Sequence, residues 1–199
     1  GNLSLHIQKL SPLNMNDRVW TVNPEDVVNI GRFISSGVFS PQRTIAVSGN
    51  AVENPKYFKT KIGAELAPIL NKVGIKFDNV RVINGDVLTG STALISDHLG
   101  YFNNLVTVIP EGSHYRMFGW LPFKDNKILS LSNTSLSRLF NRKGFEVDTN
   151  LNGEERALVV TGEMEKIFPL DIYPMQLIKA CMTEDIEKME ALGIYEVVP

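Results

Sequence analysis

The stretch from Arg43 to Gly90 limits the possible folds of this chain more than any other part of it. Its first segment, Arg43–Gly49, is rich in β-branched residues and predicts a half-buried strand. A turn at Asn54–Pro55 then leads to a second short strand at 57–60. The apolar residues that follow recur at helical spacing and predict a short amphipathic helix: Ile62, Leu66, Ile69 and Leu70. Val80–Ile83 returns as a strand, and the order strand, strand, helix, strand is that of a β-grasp unit.

The composition is that of an ordinary globular protein. Its 199 residues are enough for one or two domains with a buried core. Hydrophobic residues make up 43% and charged residues 21%, which argues against general disorder. No apolar run approaches the roughly 20 residues that a membrane-spanning helix needs. The formal net charge of −2 gives no broad attraction to nucleic acid, so no nucleic-acid partner is predicted.

Cysteine and histidine usage argues against a metal site. Cys181 is the single cysteine, so the chain cannot form an internal disulfide or, unaided, a cysteine-ligated zinc or iron–sulfur site. Leu177 and Ile178 lie near it on a predicted helix, which favours a buried, inert thiol. The three histidines lack a partner at metal-ligand spacing: His6, His98 and His114. No metal ligand is predicted.

The segment before Arg43 predicts a strand and a helix. Leu3–Ile7 alternates between apolar and polar residues, which is typical of a strand. Asn23 predicts an N-cap, Pro24 the first helical position and Gly37 the end of the helix. The spacing of three apolar residues predicts the buried stripe of this helix: Val27, Ile30 and Ile34.

The part of the chain after Gly90 contains short elements separated by loops. Loops are predicted at 91–102 and, as a polar and mobile segment, at 132–152. Strands are predicted at 104–109, 115–121, 127–131 and 157–160. Two helices are predicted at the end, Pro174–Met182 and Glu184–Leu192, the second capped by Thr183 and ended by Gly193.

The motif from Gly85 to Thr92 is close to a phosphate-binding loop, because glycines flank four residues and hydroxyls follow. Ser91 stands where the lysine of that motif would reach the phosphates, so a turn that uses the backbone freedom of glycine is favoured. The G-x-G-x-x-G dinucleotide fingerprint is absent from the sequence. No catalytic residue and no cofactor-binding residue is predicted.

Five segments, spread in order over nearly the whole chain, are similar to those of one known family. They are Thr21–Gly37, RTIAVSGNAVENP from Arg43, RVINGDVLTG from Arg81, MFGW at Met117–Trp120 and Phe168–Cys181. Together they resemble the NqrA family, whose members belong to the bacterial Na⁺-translocating NADH:quinone reductase. RnfC and the NADH-binding flavoprotein subunit of complex I are related families.

The resemblance implies a fold between α/β and α+β, in three parts. Residues 1–42 would be the end of a Rossmann-like domain, and residues 43–165 a soluble-ligand-binding β-grasp (SLBB) domain with additional strands. Residues 166–199 would be the start of a C-terminal helical domain. Gly1 in place of an initiating Met, and the strand-like apolar run 194–199, lead us to expect a fragment that lacks the N-terminal part and the C-terminal end of the NqrA protein.

The function implied by the resemblance is that of a peripheral subunit on the cytoplasmic face of the bacterial inner membrane. The whole complex would pass electrons from NADH to ubiquinone and export Na⁺. The expected partners are the other subunits, chiefly the membrane subunits, and quinone is a further expected contact. Flavins and an iron–sulfur cluster in other subunits would carry the electrons, so no cofactor is expected in this chain.

The best candidate for a ligand or quinone contact combines Thr89 and Gly90 with Phe118 and Trp120. A flat apolar quinone head needs apolar walls with a few polar groups, and Phe118 and Trp120 share one face of a predicted strand. The same aromatic residues also suit a hydrophobic core or an interface between subunits. Two other functions remain open: an SLBB module that binds a small regulatory molecule, and an RnfC-like electron-transfer subunit.

Overall fold

The computed structural model of the chain describes residues 3–12, 17–112, 145–151 and 157–197. The chain divides into two compact units, one within residues 22–155 and one formed by residues 1–21 with 156–199. The described helices and strands are, in chain order, α1 (Leu3–Leu10), α2 (Pro24–Ser36), β1 (Gln42–Ser48), β2 (Lys56–Lys61), α3 (Ala67–Val73), β3 (Val80–Asn84), β4 (Ser91–Ala93), β5 (Leu105–Pro110), α4 (Glu163–Ile167), α5 (Pro174–Met182), α6 (Ile186–Ala191) and a 3₁₀-helix (Ile194–Glu196). The protein is therefore a mixed α/β protein.

A five-stranded sheet in the order β2-β1-β5-β3-β4 forms the centre of the first unit. β1 and β2 form the predicted antiparallel hairpin, in which Ile45 pairs with Phe58. β1 and β5 are parallel, with Ala46 opposite Leu105, whereas β3 is antiparallel to both β5 and β4. The chain thus places two distant segments side by side in the middle of the sheet.

One face of the sheet and α3 enclose the hydrophobic core. Alternate residues of β1 point inwards, as the β-branched pattern predicts, and Ile45 and Val47 are buried. The core also contains residues of α3 and β5, among them Leu70 and Val108. The predicted helix is confirmed, although it begins at Ala67, so Ile62 lies in the turn before it.

The loop between β1 and β2 packs against the end of α3. The Glu53 N–H donates to the Gly74 carbonyl at 3.1 Å, and the Asn54 N–H donates to the Val73 carbonyl at 3.1 Å. Gly49 opens this loop with a φ of 122°, at a point where a side chain would overlap the carbonyl of Val108. Glycine is therefore required there both by the backbone and by the space.

Helix α2 has the predicted ends but not the predicted buried stripe. Pro24 begins it, and Gly37 ends it in the left-handed conformation, donating its N–H to the Phe33 carbonyl at 2.8 Å. Val27, Ile30 and Ile34 are exposed, and Ile34 reaches 78% exposure. The prediction of a buried stripe is wrong because the helix contacts the sheet through polar residues of its first two turns.

Three further predictions are wrong. Leu3–Ile7 belongs to helix α1, since apolar residues four apart also fit a helical face. Residues 91–93, predicted as loop, form β4 through antiparallel pairing with β3. Residues 157–160, predicted as a strand, are in neither a strand nor a helix. In the last two cases the outcome depends on whether a partner strand lies alongside, which a local pattern does not reveal.

The second unit contains short helices around a small apolar core of Leu170, Met175, Leu177 and Ala180. Helix α5 is confirmed at both predicted ends. Helix α6 begins later than predicted, because Asp185 rather than Thr183 caps it and accepts the Lys188 N–H at 3.1 Å. Cys181 is exposed, so the prediction of a buried thiol is wrong. The strand-like run at the end begins instead with the 3₁₀-helix.

The predicted strands at 115–121 and 127–131 lie outside the described residues, and so does most of the predicted loop at 132–152. The described chain returns at 145–151 and contacts the sheet unit there. The Asn50 side-chain amide donates to the Val147 carbonyl at 3.2 Å. Residues 145–151 are therefore part of the first unit.

Candidate functional site

The turn between β3 and β4 contains the two described residues of the predicted ligand site, Thr89 and Gly90. Asp86 organises this turn. One of its carboxylate oxygens, Oδ1, accepts the N–H groups of Leu88 at 2.7 Å and Thr89 at 2.8 Å. Its backbone carbonyl accepts the Gly90 N–H at 3.0 Å. Three consecutive amides, those of residues 88, 89 and 90, therefore donate to Asp86, as expected of an aspartate-initiated turn.

The Thr89 hydroxyl is already used within the turn, because it donates to Asp86 Oδ2 at 3.0 Å. The hydrogen bonds from the Thr89 N–H, then from the Leu88 N–H, lower the pKa of Asp86 below its ordinary value. Asp86 is thus an anion at neutral pH whose acceptor positions face its own turn. Thr89 has only acceptor capacity left for a ligand, which weakens it as a polar contact.

Gly90 is needed for packing rather than for binding. A Cβ atom at this position would lie 2.5 Å from the Asp86 carbonyl oxygen and 2.6 Å from the Ile83 Cγ2 atom. The turn therefore folds back closely on the end of β3. This explains the glycine that the sequence places next to Ser91 without any role for bound phosphate.

The tip of the turn presents an exposed apolar side chain. Leu88 is 90% exposed, and Val87 beside it is about half exposed. Leu94 and Ile95, which directly follow the edge strand β4 in the chain, are also exposed. We call these four residues the β4 edge patch. A group of exposed apolar side chains is more typical of a contact surface than of a small-molecule pocket.

The other two predicted site residues, Phe118 and Trp120, lie outside the described residues. The predicted combination of these two residues with Thr89 and Gly90 therefore stays a prediction. Across residues 3–12, 17–112, 145–151 and 157–197, no group of three or more His, Cys, Asp or Glu side chains is placed to hold a metal ion. No helix in the described part of the chain is both long enough and apolar enough to cross a membrane.

Two arginine networks are present that the sequence patterns do not predict. Arg81 on β3 makes a two-point ion pair with Glu111, with Nε–Oε2 and Nη2–Oε1 distances of 2.9 and 2.5 Å. This contact, above all, lowers the pKa of Glu111 below its ordinary value. The Thr149 hydroxyl also donates to Glu111 at 2.9 Å, and the Gly112 N–H donates to the Thr149 hydroxyl at 2.5 Å. The network joins both sides of residues 113–144.

The second network centres on Arg43, which is buried on β1. Arg43 lies on the same face of β1 as Ile45 and Val47, so an arginine occupies a position that faces the core. The sequence does contain a signal for this network, because a charged residue at a core-facing strand position requires carboxylate or carbonyl partners.

Comparison with known proteins agrees with the sequence resemblance. Residues 1–39 match the family model described as the NqrA second alpha/beta domain, and residues 44–94 match the SLBB model described as the NQRA C-terminal domain. The second match contains β2, α3, β3 and β4 and ends before β5. The chain is homologous to NqrA.

Curated relatives of this NqrA homologue are named as the A subunit of a Na(+)-translocating NADH-quinone reductase. The protein from Hahella chejuensis is 40% identical over 197 residues, which cover 98% of this chain and 44% of the relative. The protein from Neisseria meningitidis serogroup B is 36% identical over the same shares. The protein from Klebsiella pneumoniae is 38% identical over 96% of this chain and 42% of the relative. The chain therefore spans less than half the length of these relatives.

Proposed function

We propose that this chain is part of a peripheral subunit of a respiratory complex that passes electrons from NADH to quinone and transports Na⁺. The proposal is supported by the name shared by the relatives, which are 36% and 40% identical to this chain over 98% of its length. The partners would be the other subunits of the complex, chiefly its membrane subunits. The expected location is the cytoplasmic face of the inner membrane.

The finer fold assignment belongs to the same proposal. The central parallel pair of β1 and β5, with α3 on one face, supports a β-grasp unit of the SLBB type within residues 43–165. Residues 1–42 would then be the end of a Rossmann-like domain, and residues 166–199 the start of a helical domain.

The role we propose for this chain is to provide docking surface, and the observation that supports it is the exposed Leu88 side chain on a turn whose backbone is held by hydrogen bonds. Asp86 holds the Leu88 N–H, so the backbone that carries this exposed side chain needs little ordering when a partner covers it. The β4 edge patch would meet an apolar surface of another subunit, and burial of such side chains is the main favourable term in association.

Quinone contact at Thr89, Gly90, Phe118 and Trp120 is a further part of the proposal. The chemistry of electron transfer would belong to flavins and an iron–sulfur cluster in other subunits, with no cofactor in this chain. In the described part of the site, Thr89 would accept a hydrogen bond rather than donate one, since its proton is engaged by Asp86.

The test is to co-express the tagged gene that encodes this sequence with the genes of the remaining subunits. Copurification of the subunits and NADH-driven quinone reduction are then measured. We expect stoichiometric copurification, and a loss of at least about tenfold in recovered complex for Leu88→Asp. The matched control is Leu151→Asp, because Leu151 is 66% exposed and lies outside the β4 edge patch. Equal recovery of both variants would reject the patch as the docking surface.

The same experiment addresses the two alternatives. A regulatory SLBB module would stay soluble while quinone reduction survives its deletion, and an RnfC-like protein would transfer electrons without quinone. The common name of the relatives favours neither of them.

A further inference from the structure

Arg43 lies between the two parts of the chain that the family models match separately, residues 1–39 and 44–94. Its side chain is 2% exposed. Arg43 Nη2 donates to Asp26 Oδ1 at 2.8 Å, Nη1 donates to the Tyr101 carbonyl, and Nε lies 3.7 Å from Glu25 Oε2. The Tyr101 ring also faces the guanidinium, 5.7 Å from its centre. A buried arginine on the sheet is thus held by both acids of the first turn of α2.

The same turn closes a gap in the sheet. β5 pairs with β1 only from Ala46 onwards, so the beginning of β1 has no strand on that side. The Ala46 N–H points to that side and donates to the Asn104 carbonyl at 2.8 Å. The Thr44 N–H, two residues earlier, points the same way and donates to Glu25 Oε1 at 2.7 Å. Glu25 therefore takes the place that a neighbouring strand would have.

The face of α2 that meets the sheet is polar. Glu25, Asp26 and Asn29 are its half-buried residues, whereas its apolar residues are exposed. This reverses the usual arrangement of an amphipathic helix on a core. Apolar burial consequently contributes little to the attachment of α2, and the ion pairs and hydrogen bonds carry it.

We propose that Arg43 with Glu25, Asp26 and the Tyr101 carbonyl forms a polar clamp that holds α2 on the five-stranded unit. When the clamp is broken, an unpaired buried guanidinium remains, and release of α2 returns that charge to water. The sheet keeps its own core and stays folded. A helix of 13 residues is marginal in isolation, so the released α2 loses its hydrogen bonds.

Hydrogen exchange, followed by mass spectrometry on the 199-residue chain, tests this clamp. In the double variant Glu25→Gln, Asp26→Asn we expect amides of α2 to exchange about tenfold faster, with the amides of β3 and β5 unchanged. The matched control is Glu65→Gln, Asp78→Asn, which removes two exposed acids of the same unit outside α2.

A second variant separates the clamp from the effect of acids on the helix dipole. Arg43→Lys leaves the sequence of α2 intact and keeps the positive charge, but an ammonium cannot reproduce the planar set of contacts. Faster exchange in α2 is expected here as well. Unchanged exchange of α2 in both variants, or equal loss of protection across α2 and the sheet, would overturn the proposal.

Discussion

Asp86 shows how a single residue can set the character of a surface turn. Its carboxylate accepts two backbone N–H groups and a hydroxyl within four residues. The sequence pattern predicts the turn that contains Thr89 and Gly90, but it gives no separate prediction for Asp86. The spacing of an aspartate two and three residues before these amides was the signal available.

Acidification is expected to loosen this turn before the sheet. Because the pKa of Asp86 is lowered in the folded chain, its contribution to folding is fully present above the unfolded value of about 3.9. That contribution is lost as the pH falls through the lower, folded value. Amide chemical shifts of Leu88 and Thr89 should thus stay constant from about pH 7 to about pH 5 and change only below about pH 4.

The control for that titration is Asp86→Ala, in which both amides should be solvent-exposed at every pH. If the Leu88 and Thr89 shifts change between about pH 5 and pH 7 in the unsubstituted chain, Asp86 is not the group that closes the turn.

At the scale of elements, local patterns identified those with strong internal signals. β1 has alternating β-branched residues, and α5 begins at a proline, so their positions followed from the sequence. β4 has only three residues and exists because β3 lies beside it. For α2 the helix and both of its ends are predicted correctly. Its apolar residues face away from the sheet, however, because the acids that contact Arg43 determine which side of the helix meets the sheet.

The orientation of α2 can be tested by replacing one apolar residue of its stripe. Ile34→Gln should change the free energy of unfolding of the 199-residue chain by less than about 0.5 kcal/mol, because the side chain is largely exposed. Burial of the stripe, as the sequence pattern predicts, would cost several times more. Urea unfolding followed by fluorescence distinguishes the two outcomes.

A substitution in the core provides a reference value for that change in unfolding free energy. Leu70 is fully buried, and Leu70→Ala is expected to cost about 2–5 kcal/mol. If Ile34→Gln approached the cost of Leu70→Ala, the stripe would be covered and the described orientation of α2 would be wrong.

At the scale of the whole molecule, the contacts of Glu111 tie residues 145–151 to the sheet unit. Gly112 and Thr149 are in direct hydrogen-bond contact although they lie 37 residues apart. Nothing in the sequence pairs these positions, since Gly112 lies between two predicted strands and Thr149 lies in a predicted loop. Local sequence patterns do not predict long-range polar contacts of this kind.

Glu111→Gln should therefore lower the midpoint of urea unfolding of the 199-residue chain, because the substitution removes the charge that pairs with Arg81 and weakens the contact with the Thr149 hydroxyl. The matched control is Glu65→Gln, at an exposed acid of the same unit. Equal midpoints for the two variants would contradict this role of Glu111.

The parallel pairing of β1 with β5 determines how far an expressed polypeptide must extend for its sheet to be complete. Ala46 and Leu105 are neighbours in space, so the middle of the sheet is completed only after the ribosome has made residues 105–110. A polypeptide ending at residue 94, where the family match ends, would leave β1 and β3 with open edges facing a missing strand. Such open edges promote aggregation, so expression trials should extend past Pro110.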